Sequence, residues 1–348
     1  MKNATEDVTI TLTTDMELNL NGLVNKNGKK ITINTVGNRV VATGTKDASV
    51  TINSEATVTM SSKTIYVPMT GLATEIKNAT ENATVKVTED WTVNASAIST
   101  TKTITIDSNG KIITVHGTLP ATVNVTSKAK TVSGDTSYYA IFTDALKLAS
   151  ESEEAAVVKL YDNVSLSSNV TISNRNGKSI TIDGNNKQYT ITTKVTNTLC
   201  VEHNSTVTLK DLKLKHEAKQ GTVMVKETSV LNLQNVDIDA KNIASYQYGL
   251  INLFGKDGTP KNMTLNMTDV TVDMDGTTTS GSDNAIVRTG NGGTNGVKTV
   301  TITLTNCSLN TGSASNVNGI RIQSTTTADV TLTNTNITTK NLRAGFTW

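Results

Sequence analysis

The chain has 348 residues, of which 36% are hydrophobic but only 3% aromatic, and 32 basic against 30 acidic residues leave a net charge of +2. That length suffices for a large core, yet bulky packing residues are scarce and Thr, Asn and Val stand in their place, which argues against helices packed on helices and for stacked narrow strands. The charges are spread without blocks and no apolar run reaches bilayer-spanning length, so neither a nucleic-acid partner nor direct membrane insertion is expected.

The chain opens on KNATE at 2–6, a phrase that returns at 77–81, where it is preceded by TGLATEI at 70–76 that the first copy lacks. It therefore reads as starting inside a repeat, an excised piece of a longer protein whose signal and anchor lie elsewhere. A second phrase marks three tandem units: ITINTVGNRVV at 31–41, ITIDSNGKIITV at 104–115 and ITIDGNNKQYTI at 180–191. The expected organisation is a partial solenoid repeat over 1–69, a second over 70–136 and a main domain over 137–348. In that third unit Tyr138, Ile141, Phe142, Ala145, Leu148 and Ala149 fall at helical spacing, which predicts a short amphipathic helix over 137–150, N-capped by Thr136 or Ser137. Strands are predicted next at 156–160, 164–166 and 170–172.

From 197 to 337 one phrase recurs five times: VTLKDLKL (207–214), LNLQNVDI (231–238), LNMTDVTV (265–272), ITLTNCSL (302–309) and VTLTNTNI (330–337). Period-two alternation marks both halves of each copy as strands. The fifth position reads Asp211, Asn235, Asp269, Asn306 and Asn334, and Asn and Asp are the non-glycine residues that best tolerate the left-handed backbone of a sharp corner. This column is a predicted turn ladder. A further short strand precedes each copy, at 199–201, 223–225, 250–253, 285–287 and 320–322, giving three strands per repeat. No single repeat closes a core, so successive repeats must stack and bury a continuous column of Leu, Ile and Val.

Here the sequence resembles the right-handed parallel β-helix of the pectate-lyase-like superfamily, in which a short Asn-containing corner follows the second strand. The resemblance covers the last 210 or so residues and implies an all-β parallel solenoid, with the 137–150 helix covering its open first coil and the aromatic-containing 342–348 segment covering the last. It also raises an enzyme reading, because many members cleave polysaccharides with clustered carboxylates on the outer face of the first strand. In this chain that face is predicted to read Cys200, Met224, Ile251 or Asn252, Ile286 and Arg321, without a carboxylate. Cys200 and Cys307 fall three repeats apart, too far to bridge, so two free thiols are expected.

The acidic residues gather instead at the end of the third strand and in the loop after it: Asp237, Asp239, Asp273, Asp275 and Asp283. Asp239 and Asp273 should be stacked neighbours and form the one candidate pair for Ca²⁺, but two carboxylates are a thin shell and solvated turns account for the same letters, so no metal and no cofactor is assigned. His116, His203 and His216 sit at no ligand spacing and read as surface histidines. The glycine-rich stretch 290–296 is not followed by a helix and reads as a corner.

These residues lead to a non-enzymatic extracellular β-helix segment of a large microbial surface protein, a stalk or adhesin that contacts a carbohydrate or a host or matrix protein through loops at 254–262, 273–284, 288–298 and 310–318. Asp273, Asp275, Asp283, Arg288 and Arg321 are the candidate binding residues, none is assigned a catalytic role, and the oligomeric state is open. The competing readings are a polysaccharide lyase or glycoside hydrolase using Asp239, Asp273 or Asp283 beside Arg288 or Arg321, and a trimeric phage tail spike or fibre.

Overall fold

The computed structural model describes residues 1–254, 261–281, 284–290, 297–312, 316–323, 327–340 and 346–347. The chain is predominantly β, with its strands mostly in parallel sheets and two α-helices among the described residues. It falls into two compact units, Met1–Ser127 with Asp135–Ile141, and Lys128–Gly134 with Phe142–Trp348.

In the first unit, Val8–Thr11, Ile31–Asn34 and Val50–Asn53 pair in parallel, as do Ala83–Val87, Ile104–Asp107 and Val123–Thr126. Antiparallel pairing interrupts these stacks: Lys63–Val67 lies against both Val40–Thr43 and Ala56–Thr59. A helix, Met69–Lys77, follows and buries Leu72 and Ile76, and its first amide, Met69 N, donates to Glu55 Oε2 at 2.7 Å. That helix occupies the TGLATEI segment, which the sequence marks only as an insertion. Residues 136–140 also depart from the reading above: Thr136–Ala140 is a strand antiparallel to Ile113–His116. The predicted helix is thereby confined to Phe142–Glu151. The β-branched and aromatic run Thr136, Tyr138 and Tyr139 finds a sheet partner, and tertiary pairing overrides the helical spacing of Tyr138 and Ile141.

The second unit repeats three strands per copy, and each strand pairs in parallel with its counterpart in the next copy. The first sheet runs Val170–Ile172, Leu199–Val201, Val223–Lys226, Gly249–Phe254, Asn284–Thr289, Val317–Arg321 and Phe346–Thr347. The second and third sheets share the long strands Thr206–His216 and Val230–Asp239 and continue through Lys261–Thr268 and Thr271–Asp273, Val297–Thr305 and Ser308–Asn310, and Thr327–Thr333 and Asn336–Thr338. Alternation sends one file of side chains inward, and Leu209, Leu233, Met267 and Leu304 are all fully buried on register-partnered positions. The helix Phe142–Glu151 packs Phe142, Ala145, Leu146 and Ala149 against Ala129–Ser133 and Ala156–Leu160. Asn174 closes its end by donating from Nδ2 to the carbonyls of Ala149 and Ser152, both at 2.9 Å.

The corner column takes the backbone form its residue types favour. Asp211, Asn235, Asp269, Asn306 and Asn334 have φ of 49°, 54°, 54°, 55° and 48°. Their side chains link along the stack: Asn235 donates to Asp211 at 2.6 Å, Asn306 to Asp269 at 3.1 Å and Asn334 to Asn306 at 2.9 Å.

Candidate functional site

Parallel register on the first sheet lines up one outward file: Cys200, Met224, Asn252, Arg288 and Arg321. Arg288 therefore takes the place expected for Ile286. The reason is local: Ile286 and Arg288 share one strand parity, but Ile286, like Leu250 in the preceding repeat, is fully buried, so the accessible position on this face is Arg288, two residues on. Arg288 and Arg321 are register partners and stand side by side on this face.

A cleft of about 320 Å³ opens over this file, lined by Asn197, Gln220, Met224, Tyr248, Asn252, Phe254 and Arg288. Asn252 forms its floor at 5% exposure, accepting from Gly249 N at 3.1 Å and donating to Gly249 O at 2.9 Å and to Asn197 Oδ1 at 3.1 Å. The amide reaches that depth because positions 221 and 249 carry no Cβ: one at Gly221 would press into Asn252 Nδ2 and Asn197 Oδ1, and one at Gly249 would sit 2.6 Å from both Asn252 Oδ1 and Arg288 Cβ. Tyr248 forms the wall. Its φ of 68° is a left-handed conformation that a bulky residue rarely holds, and the backbone is fixed by Tyr248 N donating to Asn284 Oδ1 at 2.9 Å. The ring is 43% exposed, and the Arg288 guanidinium carbon lies 5.1 Å from its centroid, within cation–π range.

The cleft thus offers a ring face, a guanidinium and several amides. A planar cation can pair with carboxylate or share hydroxyl oxygens, amides bond hydroxyls both ways, and a flat ring stacks on the C–H face of a sugar. The neighbouring outward position holds a carboxylate, Glu202, but it is 8% exposed and bonded to Lys226 Nζ at 2.5 Å. Burial is the largest influence and works against the Lys226 ammonium, but the hydrogen bond to Glu202 together with the surrounding charges, Glu202 and Glu227 among them, holds its pKa above the usual value. Cys200 is also covered, its Sγ donating to Asn197 O at 3.2 Å, and burial raises its thiol pKa. Both cysteines are free and buried.

The acidic residues collect elsewhere, on the third sheet. Asp239 and Asp273 are register partners. Asp273 Oδ1 accepts from Asp275 N at 3.0 Å and from Asn310 Nδ2 at 3.3 Å, while Lys241 Nζ lies 3.5 Å from its other oxygen. Asp237 Oδ1 accepts from Lys187 Nζ and Thr271 Oγ1, both at 2.7 Å; burial opposes its charge, but these bonds prevail and lower its pKa. No group of three or more potential metal ligands occurs among the described residues. Asp283 lies outside the described residues, as do 255–260, 291–296 and 313–315 of the predicted binding loops. Among the described members of the expected binding set, Arg288 and Arg321 stand on the first sheet while Asp273 ends a third-sheet strand and Asp275 lies in the turn after it, so they form no joint constellation.

The histidines differ from the reading of all three as surface residues. His203 is an exposed turn residue with φ of 59°, and His116 is the exposed last residue of the strand Ile113–His116, with Nδ1 3.1 Å from Thr136 Oγ1. His216, by contrast, is 2% exposed, and desolvation lowers its pKa to about 4. Of the residues lining the cleft, sequence reasoning placed Phe254 at the start of a binding loop but missed Tyr248, Gln220 and Asn197. The available signal was the pair of glycines at 221 and 249, one just ahead of the strand Val223–Lys226 and the other opening the strand Gly249–Phe254. Comparison with protein-family models, curated proteins and solved structures finds no match to this chain.

Proposed function

We propose that the second unit is a right-handed parallel β-solenoid of the pectate-lyase-like kind, and that it acts without turnover as a stalk or adhesin of a microbial cell surface, holding a glycan in the first-sheet cleft. The observation that carries this reading is the cleft's composition: Tyr248, Arg288, Asn252 and Asn197 converge there, while Asp237, Asp239 and Asp273 are committed to hydrogen bonds on another sheet. Glycoside hydrolysis needs paired carboxyl groups across one bond, and lyase chemistry needs a base beside a charge-stabilised carboxylate. A ring, a guanidinium and amides instead make a binding surface on a rigid scaffold.

The test is a glycan array probed with the intact chain and with Arg288→Ala and Tyr248→Ala. Retention of a glycan by the wild type, weakened about tenfold by either substitution, is the expected outcome, matching the ~1.4 kcal/mol of a lost charged or ring contact. Oligosaccharide products or unsaturated uronates from a polysaccharide panel, lost in Asp273→Ala, would replace binding by catalysis. A trimer in sedimentation would favour a tail-spike assembly.

A further inference from the structure

His216 ends the strand Thr206–His216 and points into the packed interior rather than to solvent. Its Nδ1 lies 2.9 Å from Thr193 Oγ1, which is in turn 2.7 Å from Thr222 Oγ1, and both threonines are fully buried. The ring meets Tyr246 at right angles with centroids 6.5 Å apart. Tyr246 is wholly buried, and neither its hydroxyl nor His216 Nε2 has a hydrogen-bond partner among the described residues.

Tyr246 belongs to the segment 240–248 that joins Val230–Asp239 to Gly249–Phe254. This segment holds three non-glycine residues in the left-handed region, Asn242 at 59°, Ser245 at 57° and Tyr248 at 68°. Such a backbone persists only while its surroundings hold it. Hydrogen bonds tie its backbone to neighbouring repeats: Ala240 N, Asn242 N and Tyr246 N donate to Asp273 O, Asp275 O and Thr278 O at 2.8, 3.0 and 2.8 Å, Gln247 N to Lys219 O at 2.8 Å, Ile243 N to Thr277 Oγ1 and Ser245 N to Thr278 Oγ1 both at 3.1 Å, and Tyr248 N to Asn284 Oδ1 at 2.9 Å, while the buried Tyr246 side chain packs on His216. Two residues beyond Tyr246 stands Tyr248, the wall of the cleft.

We infer that His216 and Tyr246 form an acid-sensitive latch: protonation of His216 by solvent puts a cation against Tyr246, frees the 240–248 segment and withdraws Tyr248 from Arg288. The backbone of Gln220 and Ala218 and the charge of Glu217 favour a charged ring, but its desolvation outweighs them. Glu217, the residue after the strand, is bonded to Lys215 at 2.6 Å, and the nearby lysine Lys194 bears on Glu217 as well. The adjoining cavity of about 510 Å³ presents Lys215, Lys219 and Lys241 against Glu217 and Asp239. From the first sheet the charge of Arg288 acts on Tyr246. Desolvation already holds the His216 pKa at about 4, so the neutral ring, and the closed segment, prevail at neutral pH.

The effect on the cleft rests on the glycan-binding reading; the latch itself does not, and it is tested without a ligand. Amide hydrogen exchange of the intact chain, expressed as protection factors at pH 7 and pH 4, should show protection over 240–248 falling tenfold or more on acidification while Val230–Asp239 stays protected. His216→Gln, which cannot take up a proton, should keep the segment protected at both values. Should that variant fail to fold, an NMR titration of native His216 decides: its ring signals and those of Tyr246 should move with one midpoint well below the ordinary histidine value. Protection over 240–248 independent of pH, loss equal in wild type and His216→Gln, loss shared by Val230–Asp239, or Tyr246 signals that ignore the His216 titration would overturn the latch. If a glycan is found, its affinity should fall at pH 4 in wild type and not in His216→Gln.

Discussion

Asn306 holds a φ of 55° and donates through Nδ2 to Asp269 while accepting from Asn334. Left-handed backbone costs an ordinary L-residue about 1–2 kcal/mol, and a ladder hydrogen bond is worth about 1 kcal/mol. Asn306→Ala should therefore destabilise the second unit by about 2 kcal/mol in urea unfolding, whereas Asn306→Gly, which keeps the backbone freedom and loses only the side chain, should cost less; equal losses would contradict the corner's role. This column was legible in the sequence because Asn or Asp recurs at one position among apolar neighbours in five copies. The state of His216 was not, since one polar letter closing a strand gives no sign of which side it faces. With its folded pKa at about 4 and an ordinary value of 6.5, the unfolded chain takes the proton first as pH falls. The stability contributed by neutral His216 is thus present above pH 6.5 and lost as pH drops toward 4, up to about 3 kcal/mol in all. Urea midpoints measured between pH 7 and pH 4 should fall more steeply in wild type than in His216→Gln.

At the scale of single elements, the inward files carry the packing. Leu304 is fully buried between Met267 and Leu332, but Leu332, in the next strand, is 37% exposed. Leu304→Ala should cost about 2–5 kcal/mol and Leu332→Ala clearly less, read from denaturant midpoints at unchanged slope. Gly249→Ala forces a Cβ against Asn252 and Arg288 and should cost about 1–3 kcal/mol while disturbing the cleft floor. The strands themselves could be read from period-two alternation, and those at 156–160, 164–166 and 170–172 fall where it placed them. Exposure departed from the pattern where two adjacent residues are both buried, at Leu250 with Ile251 and Ile286 with Val287, and that put Arg288 at the place expected for Ile286. The helix at Met69–Lys77 escaped because nine residues carry little periodic signal, and the strand at Thr136–Ala140 because pairing with Ile113–His116, distant in sequence, overrides its helical spacing.

Across the whole molecule, two units each bury their own strands, and in the second the cleft arises only because corresponding strands of successive repeats lie side by side. Tyr248, Asn252 and Arg288 come from different repeats or their connections, so the site depends on parallel, in-register stacking rather than on any one motif. This is why the arginines could be named from the sequence while the cleft around them could not. The register also makes a metric claim. Thr181, Thr208, Asn232, Asn266, Thr303 and Thr331 form one continuous file of partners. At about 4.8 Å per step, nitroxide labels at Thr181 and Thr331, placed in a background lacking Cys200 and Cys307, should sit about 24 Å apart. Moving the first label to Thr208 should shorten that by about 5 Å. Electron-spin distances that grow by one strand spacing per repeat are the expected result; distances that do not scale with the number of repeats between the labels would contradict the stack and the cleft built on it.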